Sequence, residues 1–123
     1  MKLTFNKVVP EPVPQSLIAS SKIWEEEITW TSNDRILVQA QSGKGKSTLL
    51  HLIYGLRKDY SGSWEIDGVQ EKNLSAKDWL ILRAKKISLV YQDLRLFKKL
   101  SARENLELLP EINPQAPTVK EMC

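Results

Sequence analysis

Ile36-Leu37-Val38-Gln39-Ala40-Gln41-Ser42-Gly43-Lys44-Gly45-Lys46-Ser47-Thr48 is the stretch on which the fold turns. Its first three residues are a short apolar run, the form a strand takes when helices cover both faces. Ser42-Gly43 and Gly45 then supply small residues for a tight loop. From Ser47 to Tyr54 the chain is rich in Leu and Ile and stops at Gly55, which reads as a buried helix with a glycine terminus. Buried strand, glycine loop and buried helix together predict an α/β chain.

Gly45-Lys46-Ser47 matches the end of the phosphate-loop pattern, in which a glycine and four residues precede Gly-Lys-Ser/Thr. Ala40 occupies the position of the first glycine. That substitution is tolerable if position 40 keeps a negative φ and lies farthest from the anion. Glycines let successive amides approach phosphate oxygens, and the helix N-terminus adds unpaired N–H donors and partial positive charge. The loop therefore predicts a nucleoside triphosphate, read as ATP with Mg²⁺, held by Ala40, Gln41, Ser42, Gly43, Lys44, Gly45, Lys46, Ser47 and Thr48. Lys46 is expected at the β- and γ-phosphates, Ser47 on the metal and Thr48 at the α-phosphate. A plain glycine turn before a core helix, with Lys44 and Lys46 solvated, is the bland alternative.

Working outward, Leu3-Thr4-Phe5-Asn6-Lys7-Val8 alternates as a strand does, and Pro10, Pro12 and Pro14 interrupt it. A second β region is predicted over 17–30, with Trp24, Ile28 and Trp30 on one face and Glu25 and Glu27 on a solvated or edge face. Thr31-Ser32-Asn33-Asp34 is a turn cluster. Downstream, Trp64-Glu65-Ile66-Asp67-Gly68 is a strand entering an Asp-Gly turn. Ser75-Ala76-Lys77-Asp78 is a capping box opening a helix to about Lys85. Ile87-Ser88-Leu89-Val90-Tyr91 reads as a second buried strand with Gln92 at its end. Ser101-Ala102-Arg103-Glu104 caps a further short helix before a loop made by Pro110, Pro114 and Pro117. Thr118-Val119-Lys120-Glu121 has the spacing of one more capping box, two residues before the last, Cys123, and reads as a helix start cut short.

The 123 residues suffice for one domain or part of one. No uncharged stretch exceeds ten residues, and the start of the chain lacks the apolar core of a signal peptide. The single cysteine excludes an internal disulfide, and a reducing cytoplasm fits best. A net charge of +3 is mild and decides nothing alone. Between 83 and 103 the charge rises to +6: Arg83, Lys85, Lys86, Arg95, Lys98, Lys99 and Arg103 stand against Asp93. By its charge alone that run reads as a solvated face. Its basic residues are not interleaved with several aromatics, so no nucleic-acid partner is expected.

From Ser42 onward the chain resembles the nucleotide-binding subunit of an ABC transporter. The stretches that carry the resemblance are Ser42 to Leu50, Tyr54-Gly55-Leu56, Ser61-Gly62-Ser63 with Ile66-Asp67-Gly68, Leu89 to Phe97, and Leu100-Ser101-Ala102-Arg103-Glu104-Asn105. Their order and spacing are similar to the family's Walker A loop, the strand beyond it and its Q-loop, and most like the lipoprotein-release and macrolide-export branch. The resemblance implies a P-loop NTPase core with an antiparallel N-terminal β portion over 1–35. The core then runs through the Q-loop over 36–92, and 93–123 begins a helical portion, truncated after the Q-loop. It also implies that Gln92 is the Q-loop glutamine, a catalytic residue beside Lys46, holding Mg²⁺ with Ser47 and relaying nucleotide state. Partners follow in the same way: a second ATP-binding subunit, and a membrane permease that provides the sole membrane contact, on the inner face of the cell membrane.

Two departures stand out. Residues 6–23 contain no aromatic to stack on adenine; Trp24 either substitutes or belongs to the sheet core. The family's signature motif, Walker B aspartate with catalytic glutamate, and switch histidine have no counterpart among the 123 residues, and His51 on the first helix reads as a packing residue. The chain should therefore bind nucleotide and, alone, barely hydrolyse it. Three other readings stay open: a non-catalytic nucleotide-binding module, another P-loop enzyme such as a small-molecule kinase, and a soluble ATPase acting on nucleic acid.

Overall fold

The computed structural model describes residues 1–11, 13–93 and 95–112, with the side chains of 109–112 left aside. Two compact units result, Met1–Ser88 and a second beginning at Leu89. The expected capping box at 118–121 and the loop prolines Pro114 and Pro117 lie outside the described residues.

The first unit is built on strand β1 (Lys2–Pro10), whose alternation buries Leu3 and Phe5. A bulge follows, with Lys7 at φ 51° and a register shift between Asn6 and Val9. The extra residue exchanges the strand's two faces, so burial resumes on Val8 and Pro10. β1 pairs antiparallel with β2 (Glu27–Thr31) on one side and β3 (Tyr60–Ile66) on the other. A short β4 (Val69–Gln70) completes the order β2-β1-β3-β4. The predicted Asp-Gly turn joins β3 to β4, with Asp67 at φ 52° and Gly68 at φ 81°. β2 is an edge strand, as expected from Glu27; Glu25 lies in the connection before it.

The second β region is shorter than predicted. Leu17 and Ile18 belong to a single helical turn, α1 (Gln15–Ile18), and only 27–31 pairs. Ile28 and Trp30 face inward as expected. Trp24 is buried but lies in the connection before the strand. Phe5 stacks on Trp64 at 5.6 Å and meets Trp30 edge-on at 5.2 Å, and Trp64 lies 6.3 Å from Trp79, giving the core an aromatic centre.

The three predicted helices form. α2 (Lys46–Ile53) and α3 (Ala76–Lys85) belong to the first unit, α4 (Ala102–Ile112) to the second. α4 continues through Pro110, a residue expected in the following loop. The two expected buried strands do not form. Residues 36–38 carry no strand pairing, Leu37 is 80% exposed, and Val90 in the 87–91 run is 82% exposed. A strand needs hydrogen-bonding neighbours at its edges, and among the described residues neither run has one. Among the described residues no helix is long and apolar enough to cross a membrane.

Candidate functional site

α2 carries the site, and both its ends are fixed by identifiable contacts. Its N-cap is Gly45 at φ 92°, a left-handed conformation that glycine adopts without steric cost, and Gly43 sits at φ 74°. Between them Lys44 N–H donates to the Gln41 carbonyl at 3.2 Å, so the loop turns rather than running extended. Ala40 is not among the positive-φ residues, the condition under which a methyl is tolerable there. Gly45 has no side chain to cap the helix, and the first turn carries no acidic residue. The first-turn amides, those of Lys46, Ser47 and Thr48, are thus left facing the loop without a side-chain acceptor.

The Lys46 ammonium folds across the loop, donating to the Gln41 carbonyl at 2.9 Å and to the Ala40 carbonyl. An ammonium has three donors, so these two carbonyls leave one over. Ser47 is exposed in the first turn, and its hydroxyl makes no hydrogen bond among the described residues. Loop and helix mouth border a cleft of about 820 Å³, whose other walls include Leu17, Ile23, Trp24, Trp30, Ile36 and Val38. Trp24, expected either as a base platform or as a sheet-core residue, is in the core at 6% exposure and lines this cleft.

The opposite end of α2 is closed by a pair of bonds, Gly55 N–H to Leu52 O at 2.9 Å and Leu56 N–H to His51 O at 2.8 Å, with Gly55 at φ 71°. This is a Schellman stop. The Trp79 ring lies where a Gly55 Cβ would stand, at 2.6 Å. Arg83 donates to the Tyr54 carbonyl at 3.1 and 3.2 Å and to that of Gly55 at 3.3 Å. Its guanidinium stacks over the Tyr54 and Trp79 rings at 5.1 and 5.3 Å, which sets a cation at the negative end of the helix. Sequence reasoning missed this clamp; its partners stand 28 and 29 residues apart, and no local pattern marks them. His51 is half-buried on α2, in keeping with packing.

Gln92 belongs to the second unit, exposed in a turn with Asp93. The turn is shaped by Arg95 at φ 45°, whose guanidinium lies 4.0 Å over the Tyr91 ring and 3.5 Å from an Asp93 carboxylate oxygen. In the same unit Asn105 fastens the loop before α4. It accepts from Phe97 N–H at 2.9 Å and donates to the carbonyls of Phe97, Leu100 and Ser101. Ser101 and Glu104 form the expected reciprocal cap, holding the Glu104 carboxyl below its ordinary range. Among the described residues no group of three or more His, Cys, Asp or Glu could hold a metal.

The family model for ABC transporters matches residues 27–122. The chain belongs to the ABC transporter family. Along 84 residues it is 32% identical to the uncharacterized ABC transporter ATP-binding protein YvcR of Bacillus subtilis (strain 168), covering 68% of this chain and 32% of that protein. The lipoprotein-releasing system ATP-binding protein LolD of Legionella pneumophila (strain Lens) is 38% identical over 80 residues, 65% of this chain and 35% of that one. The macrolide export ATP-binding/permease protein MacB of Mannheimia succiniciproducens is 37% identical over 75 residues, 61% of this chain and 12% of that one. Among solved structures, the dimeric MJ0796, a bacterial ABC transporter cassette, superposes with a TM-score of 0.58 and 26% identity over 98% of this chain and 51% of that one. A second structure of the MJ0796 cassette, a post-hydrolysis state bound to ADP and Pi, matches at a TM-score of 0.57. The chain thus has the fold of the N-terminal part of an ABC cassette, and it spans about a third of the length of the first two relatives.

Proposed function

We propose that this chain is the N-terminal part of an ABC transporter's ATP-binding subunit and that it grips Mg·ATP through residues 40–48. The observation that carries the reading is the Lys46 ammonium held over a glycine turn at the uncapped mouth of α2. In this reading the amides of Gly43 to Thr48 surround the β-phosphate, and the third donor of Lys46 reaches the β- and γ-oxygens. The Ser47 hydroxyl would be a ligand of Mg²⁺, and Gln92, as the Q-loop glutamine, would be a second protein ligand. Bound Mg²⁺ would neutralise charge on the terminal phosphates.

The same reading makes 1–35 the antiparallel β portion, 36–92 the nucleotide core and 93–123 the start of the helical portion. The subunit works as a dimer, attached to a permease on the cytoplasmic face of the membrane, and drives export, as its likeness to LolD and MacB suggests. The 123-residue chain itself binds but barely hydrolyses, since no Walker B, signature or switch-histidine motif occurs in it.

The test is equilibrium binding of Mg·ATP to the chain and to Lys46→Ala. Loss of a charge-assisted contact predicts affinity lower by roughly 10- to 100-fold, with phosphate release at background for both proteins. Equal affinity for the variant would sink the assignment of the loop.

A further inference from the structure

Trp24 is buried to 6% exposure although it lies outside every strand and helix. Its segment is pinned: the amides of Ile23 and Trp24 both donate to Ser21 Oγ, at 3.0 and 2.9 Å. Just beyond, Glu25 N–H reaches the Val8 carbonyl at 3.2 Å, with Glu25 at φ 63°, and Lys7 N–H donates to Glu26 O at 3.0 Å. The indole is therefore mounted on a stiff hook from β1. What it presents to the phosphate loop is its edge: a Cβ built on Gly45 would stand 3.6 Å from Nε1 and 3.7 Å from Cζ2. Gly45 is the residue whose φ of 92° sets the direction of the next amides, and Leu49, one turn further along α2, is buried in the same core cluster.

We propose that Trp24 is a positioning residue for the phosphate loop, backing Gly45 so that the amides of Lys46 and Ser47 stay aimed at the anion. The proposal rests on the nucleotide reading above. A flat, rigid ring suits the role, because it has few rotamers and stands a methyl's width from the loop at the residue that offers no side chain to pack. Removing it leaves α2 intact through its C-terminal clamp but frees the loop to sample other turns.

The experiment compares binding of Mg·ATP and of Mg·tripolyphosphate, which has no base, to the full chain and three variants. Trp24→Leu keeps an apolar side chain without the ring edge. Trp24→Phe keeps a ring. Leu82→Ala removes a buried side chain on α3, a control for lost stability. Trp24→Leu is expected to weaken both ligands by the same factor, about 10- to 100-fold. Trp24→Phe should return most of that loss, and Leu82→Ala should lower the urea midpoint without changing affinity. The proposal is overturned if Trp24→Leu binds tripolyphosphate as the parent does. It is equally overturned if only ATP is weakened, which makes the ring a base platform, or if Leu82→Ala loses as much affinity. Failure of the parent chain to bind tripolyphosphate or ATP at all would instead overturn the nucleotide reading itself.

Discussion

A single α carbon decides how α2 ends. Gly55 has φ 71°, and the Trp79 ring fills the space a Cβ would need at 2.6 Å. Gly55→Ala therefore combines left-handed strain with overpacking against a tryptophan that cannot retreat, since Trp79 is buried in the core. We expect a loss of about 2–3 kcal/mol in urea unfolding, with near-UV circular dichroism of the tryptophans altered. A glycine stop was legible in the sequence; the ring above it was not, because Trp79 is 24 residues away. The same contrast holds at Trp24, whose choice between sheet core and base platform is legible in the sequence while its place near Gly45 is not.

At the scale of elements, capping decided what could be foreseen. α3 starts at Ser75, whose hydroxyl accepts from Asp78 N–H at 3.2 Å while the Asp78 carboxylate accepts from Ser75 N–H at 2.9 Å. Hydrogen bonds from the Ser75 hydroxyl and then its amide hold the Asp78 carboxyl below its ordinary range. A depressed carboxyl contributes stability above the unfolded value of about 3.9, and that contribution fades as pH falls through the lower folded value. Asp78→Asn should therefore be less stable than the parent near neutral pH, and the difference should vanish in strong acid. Urea midpoints taken across that range check it; a gap that persists below the folded value would contradict the cap. α4 uses the same device through Ser101 and Glu104. Both boxes were read from four-residue spacing, since the bonds involved span three residues.

Across the first unit, one buried polar pair ties β3 to the 3₁₀ turn at 71–73. Tyr60 Oη donates to Glu71 Oε2 at 2.6 Å, and Glu71 is 2% exposed. Burial first, then the hydrogen bond to Glu71, raises the phenol well above its ordinary value. For a raised phenol the stability contribution is complete below the unfolded value of about 10. It is lost as pH climbs, because the unfolded chain releases the proton first. The urea midpoint should thus fall steeply above about pH 10. In Tyr60→Phe the curve should be flatter and the starting stability lower by about 1–3 kcal/mol, because a Glu71 oxygen loses its partner. Nothing local marks either residue, since Tyr60 precedes the predicted strand and Glu71 resembles any surface glutamate.

Sequence alone determined the glycine turn that enters α2, the glycine stop that ends it, both helix caps and the Asp-Gly hairpin. Each is specified by side chains within a few residues of the backbone groups they serve. Tertiary structure decided the fate of the apolar runs 36–38 and 87–91, the bulge that re-registers β1 and the burial of Trp24. Strand formation and burial depend on partners far along the chain. An apolar triplet states only that it would pair if neighbours were at hand, and here the paired neighbours of β1 are β2 and β3.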